Sequence, residues 1–249
     1  MARPPRFFIS PDQASGSRIT ITGEDVRHIS AVLRLAPGDE LLLCDGQGTE
    51  YIVSIEHADC TEVRTSVMRS LKRESRGLRV TLGQGLPKSD KMDWIVQKAT
   101  ELGVASIVPL VTERTIVRVK DEAKRVSRWQ KICRESAMQS NRPDIPNVEQ
   151  IHSFSGYLKA LSAAPDTLLL IPWEEETTPI KGVLREHPAP GTIIVLIGPE
   201  GGFSKAEAAM ARERGFQPVS LGRNILRTET AAVAVLSMIG YEFFDQAQS

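Results

Sequence analysis

Two short segments in the C-terminal third carry the residue types and spacing of a ligand site. Gly198-Pro199-Glu200-Gly201-Gly202-Phe203-Ser204 follows Ile193 to Ile197, an unbroken aliphatic run, and Leu221-Gly222-Arg223-Asn224-Ile225-Leu226-Arg227-Thr228-Glu229-Thr230-Ala231 follows further on. The aliphatic run suits a strand covered on both faces, and the glycines after it let a ligand approach bare backbone. Ser204 and Glu207 have capping-box spacing, which predicts a helix from this turn to about Gly215, its unpaired N–H groups open to a ligand. The common catalytic signatures are missing. There is no G-x-x-x-x-G-K-S/T, Gly83-Gln84-Gly85 lacks the third glycine of G-x-G-x-x-G, and neither G-x-S-x-G nor H-E-x-x-H occurs. Cys44, Cys60 and Cys133 form no Cys-x-x-Cys pair, so neither zinc nor a disulfide framework is expected. Residue chemistry alone leaves the glycine turn as either a ligand loop or an ordinary tight turn.

The elements that must position these turns fall into two units. Phe7–Ile9, Arg18–Thr22, Glu40–Cys44, Thr49–Ile55 and Glu62–Val67 read as short strands, with turns at Pro37-Gly38-Asp39 and Asp45-Gly46-Gln47-Gly48. One helix, Glu24 to about Leu33, interrupts them with Val26, Ile29 and Leu33 on one face. Strands of this length and spacing suggest a compact barrel. The charged stretch Ser70 to Gly77 is the linker candidate. Beyond it strands and helices alternate. Leu78–Leu82, Ser106–Leu110, Leu168–Ile171, Ile193–Ile197 and Pro218–Leu221 are the predicted strands, and helices span Met92–Leu102 and Val126–Ala137. That alternation implies an α/β unit with a mainly parallel sheet. Ligands of such sheets sit beyond the carboxyl ends of the strands, where Ile171-Pro172-Trp173, Gly198–Gly202 and Gly222–Arg227 all fall. The last helix, Ala231–Gly240, is apolar on nearly every side and should be buried in the core or in a subunit interface.

Composition limits what these units do. The 249 residues hold 31 Lys+Arg and 31 Asp+Glu, but residues 64–142 carry 18 Lys/Arg against 8 Asp/Glu. A basic middle in a neutral chain fits a polyanionic partner, or else a solvated helix face over Arg118–Arg134. The N-terminus has no apolar h-region and no run is long enough to cross a bilayer, so a cytoplasmic protein without a membrane partner is expected.

The two C-terminal segments together closely resemble the RsmE family. Its members are SPOUT-class methyltransferases of N3 of a uridine in 16S ribosomal RNA. Gln97-Lys98-Ala99-Thr100-Glu101-Leu102-Gly103-Val104, Thr112-Glu113-Arg114 and Ala137-Met138-Gln139-Ser140-Asn141-Arg142-Pro143 match as well, as do His28-x-x-x-Val32-Leu33-Arg34, Gly38-Asp39 and Asp45-Gly46. The resemblance implies a PUA-like β-barrel RNA-binding domain over residues 1–70 and a linker over 71–77. It makes 78–249 a SPOUT α/β domain tied in a trefoil knot, and it implies a homodimer acting on 16S rRNA or the small ribosomal subunit. S-adenosylmethionine would be held by Leu170, Ile171 and Pro172, by Ile197, Gly198, Pro199, Glu200, Gly201 and Gly202, and by Leu221, Gly222, Asn224, Ile225, Leu226 and Thr230. A bulky side chain at Gly201 is then expected to block the cofactor.

Methyl transfer to uracil N3 needs no metal and no covalent nucleophile. It needs alignment, and help in removing a weakly acidic N3 proton by a carboxylate or by a guanidinium beside the uracilate oxygens. In the matched motifs the candidates are Arg114, Arg142, Arg227 and Glu229, each with a structural alternative: capping of the last helix for Arg227 and Glu229, phosphate pairing for Arg142. Arg3, Arg6, Arg27, His28 and Arg34 are the candidates for gripping RNA. Competing readings are an α/β enzyme using the glycine loop for nucleotide phosphate, a methyltransferase acting on another RNA base, and a non-catalytic RNA-binding assembly factor.

Overall fold

Alternating side chains place Phe7, Ile19, Ile21, Leu41, Leu43, Val53, Ile55 and Val63 on one face of a sheet, and they form one buried cluster with Val26 and Ile29. A computed structural model describes residues 4–14, 16–72, 77–117 and 120–244, and the chain divides into two compact units. The first comprises residues 1–76 and 137–145. Its strands are β1 (Arg6–Phe8), β2 (Arg18–Thr22), β3 (Glu40–Cys44), β4 (Thr49–Ala58) and β5 (Glu62–Lys72), in the order β1-β3-β4-β5-β2. The expected barrel is thus a curled five-stranded sheet, with β1 and β2 as its edges among the described residues. β1 runs parallel to β3 and the other pairs are antiparallel.

The helix expected over Glu24–Leu33 begins as α1 (Glu24–Arg27) and then widens into a π-turn over His28–Val32, closed by the Leu33 amide on the His28 carbonyl at 2.9 Å. The extra residue per turn moves Leu33 off the face that Val26 and Ile29 bury, and Leu33 stands 37% exposed. β5 reaches Lys72, inside the stretch expected as linker, and residues 73–76 lie outside the described residues.

Residues 137–145 join the first unit for visible reasons. The Ile145 amide donates to the Gly46 carbonyl (3.2 Å), Arg6 donates to the Arg142 carbonyl (3.0 Å), and Ala137 packs with Phe8 and Cys44. Burial pushes the Cys44 thiol up to about 11, against the opposing charge of Arg6.

The second unit, residues 77–136 and 146–249, carries β6 (Arg79–Gly85), α2 (Lys91–Glu101), β7 (Ser106–Val111), α3 (Glu122–Gln139, its last turn counted in the first unit), β8 (Asn147–Val148), β9 (His152–Ser153), α4 (Phe154–Ala160), β10 (Thr167–Pro172), α5 (Ile180–Glu186), β11 (Thr192–Ile197), α6 (Lys205–Glu213), β12 (Gln217–Val219) and α7 (Thr228–Phe243). The strand order is β12-β10-β11-β6-β7-β8, with β9 also on β7, and every pair is parallel. Ile193, Val195 and Leu196 are fully buried, as expected of a central parallel strand with both faces covered. Gly103, with φ of 88°, ends α2 in the left-handed conformation that glycine adopts without strain. α3 stops at Gln139, ahead of Pro143. α7 buries Thr228, Ala232, Val235, Leu236 and Ile239, while Tyr241 on its other side is 79% exposed. Among the described residues no helix is long and apolar enough to cross a membrane.

Candidate functional site

Since β10, β11 and β12 are parallel neighbours, the loops that leave their carboxyl ends come together. Leu170 pairs with Val195 on one side and with Gln217 on the other. These three loops and the start of α7 enclose a cavity of about 590 Å³, a size that suits a small molecule. Pro172 to Glu174, Glu176, Thr177 and Pro179 form one wall, Ile197 to Glu200 with Gly202 and Phe203 the second, and Ser220 to Leu226 the third; Thr228 and Ala231 complete it.

Each wall is fixed by its own bonds. In the first, Glu176 Oε1 accepts from the amides of Thr177 (2.9 Å) and Thr178 (3.0 Å), and Arg212 lies 3.2 Å from Oε2 and 5.3 Å from the centre of the Trp173 ring. Those amide bonds hold the Glu176 carboxyl below its ordinary value. The first wall is tied to the third by the Ser220 amide on the Thr178 carbonyl (2.7 Å) and the Ile180 amide on the Ser220 carbonyl (3.1 Å). In the second, a Cβ added at Gly198 would come 2.9 Å from the Gly202 carbonyl carbon, so the turn closes only on bare backbone. Gly202 has φ of 68°, a conformation open to glycine. The Gly202 amide donates to the Pro199 carbonyl at 2.9 Å.

The capping box is formed: the Glu207 amide donates to Ser204 Oγ (3.3 Å) and the Ser204 amide to Glu207 Oε2 (2.9 Å). Glu207 also accepts from the Glu113 amide (2.8 Å), so this buried carboxylate joins the β7 turn to α6. The Glu207 amide of α6 thereby meets the helix's own cap, and the α6 residues lie outside the cavity wall.

Of the residues expected around a cofactor, Pro172, Ile197, Gly198, Pro199, Glu200, Gly202, Leu221, Gly222, Asn224, Ile225 and Leu226 line the cavity. Leu170 and Ile171 are fully buried within β10, and the wall begins one residue later. Gly201 turns the other way. Its carbonyl accepts from Arg114 (2.5 Å), and a Cβ there would meet the Arg114 side chain at 3.2 Å. Thr230 points outward, because helical spacing puts Thr228 and Ala231 on the cavity face instead. Helix phase from the Thr228 start would have shown this, whereas Glu174, Glu176 and Thr177 lie in a loop without a periodic signal.

The four catalytic candidates are dispersed. Arg114 sits in the turn after β7 against Gly201. Arg227 is the N-cap residue of α7, exposed, with its carbonyl accepting from the Ala231 amide (2.8 Å). Glu229 is in the first turn of α7, with Oε2 3.4 Å from the Lys91 ammonium. Arg142 belongs to the first unit and pairs with Asp144 at 2.6 Å. Among the RNA candidates, Arg6 is half-buried: it ion-pairs with Glu50 (2.9 Å) and donates to Cys44 Sγ (3.2 Å), which ties it into the sheet rather than leaving it for phosphate. Arg27, His28 and Arg34 are exposed, with the His28 ring edge-on to Phe7 at 5.6 Å. Arg3 lies outside the described residues. Among those residues no group of three His, Cys, Asp or Glu could hold a metal ion.

Family models and solved relatives make this parallel α/β sheet with its strand-end cavity, preceded by a curled PUA-like sheet, a SPOUT-class methyltransferase of the trefoil-knot fold. Residues 74–240 match the model of an RNA methyltransferase domain and residues 21–64 that of an RNA methyltransferase PUA domain. The chain is 34% identical to ribosomal RNA small subunit methyltransferase E of Bacillus subtilis over 90% of both chains, and 33% identical to that of Synechocystis over 94% of this chain and 76% of the relative. It belongs to the ribosomal RNA small subunit methyltransferase E family, that is, the RsmE family. A crystal structure of the Neisseria gonorrhoeae member bound to S-adenosyl methionine superposes with a TM-score of 0.85 at 32% identity, covering 96% of this chain and 98% of that one. A Legionella pneumophila structure in complex with bound SAM gives 0.84 at 31% identity, over 96% and 98%.

Proposed function

We propose that this enzyme methylates N3 of a specific uridine in 16S rRNA, with S-adenosylmethionine bound in the cavity of the second unit. The observation that carries the reading is the cavity itself, built from the three strand-end loops on a chain of this family. The residues present fit the cofactor. Ile197, Leu221, Ile225 and Leu226 offer apolar surface to an adenine, and the glycine-rich backbone of 198–202 and 221–226 offers amides and carbonyls at close range. When bound, the cofactor supplies a methyl carbon activated by an adjacent sulfonium.

The protein's own share is alignment and charge. Rigid walls hold the reacting groups in place, an effect worth ~7–11 kcal/mol in well-oriented systems. Loss of the uracil N3 proton is helped by Glu229 as base, or by a guanidinium from Arg114, Arg227 or Arg142 that stabilises the uracilate oxygens while solvent water takes the proton. The first unit, through Arg27, His28 and Arg34, supplies phosphate contacts that orient the RNA. Val233, Met238 and Tyr241 on the outer side of α7 suit a homodimer interface. A cytoplasmic enzyme acting on ribosomal RNA or the small subunit follows. Incubation with small-subunit rRNA lacking the modification should yield N3-methyluridine by mass spectrometry; a methyl group on any other base atom would overturn the assignment.

A further inference from the structure

The junction between β6 and α2 touches the glycine turn of the second wall and the start of α7, although none of its residues lines the cavity. Four residues do this. Gln84, fully buried at the end of β6, donates through Nε2 to Thr228 Oγ1 (2.9 Å), and Thr228 Oγ1 donates to the Gly198 carbonyl (2.6 Å). Gly85 packs so closely on the turn that an added Cβ would sit 2.6 Å from Pro199 Cδ and 2.7 Å from its nitrogen. The Lys88 amide donates to both Glu200 carboxylate oxygens, at 3.1 and 3.3 Å. Lys91, at the first position of α2, places its ammonium 3.0 Å from Glu200 Oε1 and 3.4 Å from Glu229 Oε2.

Two carboxylates, one from the second wall and one from the first turn of α7, therefore share one cation. We infer that Lys91 is a positioning residue: its ammonium holds the Gly198–Gly202 turn and the start of α7 at the spacing the cofactor requires. An ordinary surface pair contributes little, because water and salt replace the partner. This one differs in geometry. Glu229 Oε2 is buried and makes no hydrogen bond, so Lys91 is its compensating charge. Without Lys91 the Glu200 and Glu229 carboxylates face each other as like charges, and the glycine turn and the start of α7 that carry them separate. The hydrogen bond to Glu200 raises the Lys91 ammonium above its ordinary value, partial desolvation opposing, so it stays charged through the neutral range.

The inference rests on the cofactor reading of the cavity, and one experiment separates the two. S-adenosylmethionine and S-adenosylhomocysteine binding is measured by calorimetry for the unsubstituted protein, Lys91→Met, Lys91→Arg and the double variant Lys91→Met/Glu229→Gln, each checked for melting temperature. Lys91→Met should weaken both ligands ~10-fold, as for a directly coupled charged contact. Lys91→Arg should stay close to the unsubstituted affinity. The double variant should recover most of the loss, since it removes the repulsion, and a general packing defect would show no such recovery. Affinity unchanged in Lys91→Met, or a double variant as weak as the single one, would overturn the role of Lys91. Failure of the unsubstituted protein to bind either ligand would instead overturn the cofactor reading.

Discussion

At the residue scale the second wall depends on two glycines with different neighbours. Gly198 packs against the backbone of Gly202, which cannot yield, whereas Gly201 packs against Arg114, a flexible side chain. Gly198→Ala should therefore abolish S-adenosylmethionine binding, while Gly201→Ala should leave it within a few-fold; calorimetry on the pair checks this ordering. The same turn carries a pH signature. Desolvation pushes the Glu200 carboxyl up, but the backbone amides of Glu200 and Lys88 and the Lys91 ammonium outweigh it and hold the group below its ordinary value. A depressed carboxyl contributes stability above its unfolded pKa and loses it as pH falls through the folded value. Melting temperature should thus fall less on acidification from roughly pH 6 to pH 3 in Glu200→Gln than in the unsubstituted protein, a range set by the ordinary glutamate pKa.

Elements are held by a few buried polar groups as much as by aliphatic packing. Glu207 closes the α6 capping box and also receives the Glu113 amide, so one carboxylate secures a helix start and the β7 turn. Glu207→Ala leaves those amides without partners and should cost about 2–3 kcal/mol, a lost cap plus a buried unmade bond. Urea unfolding should show the midpoint lowered with an unchanged slope. The π-turn after α1 shows a different balance: Ile29 stays in the core while Val32 and Leu33 are turned out, 65% and 37% exposed. A strict 3.6-residue period puts Leu33 inside, so periodicity places the helix correctly and misplaces its last side chains.

For the whole molecule, function depends on surfaces that face outward. If the exposed arginines of the first unit meet phosphate, affinity for rRNA falls steeply with salt, and Arg27→Ala/Arg34→Ala should flatten the slope by about two, one counterion per lost contact. Filter binding over a salt series measures it. On the outer side of α7 Val233 and Met238 are half-buried and Tyr241 is 79% exposed. Met238→Glu should shift the protein to a monomer in sedimentation velocity if two copies meet there. Both outcomes bear on partners, which charge and exposure indicate but neither unit contains.

Sequence determined the strand and helix alternation and the turns that follow the strands, because each leaves a local mark: aliphatic runs, capping-box spacing, glycines after strands. The paired motifs around Gly198 and Leu221 were legible for the same reason. Tertiary structure decided what faces what. It took Gly201 and Thr230 off the cavity and brought in Glu174, Glu176 and Thr228. It paired Arg6 with the buried Glu50, and drew residues 137–145 to the first unit. It also set Lys91 between Glu200 and Glu229, residues far apart in the chain. Local sequence fixes the backbone's own preferences, but the direction of a side chain and its charged neighbours depend on contacts that only the folded chain brings together.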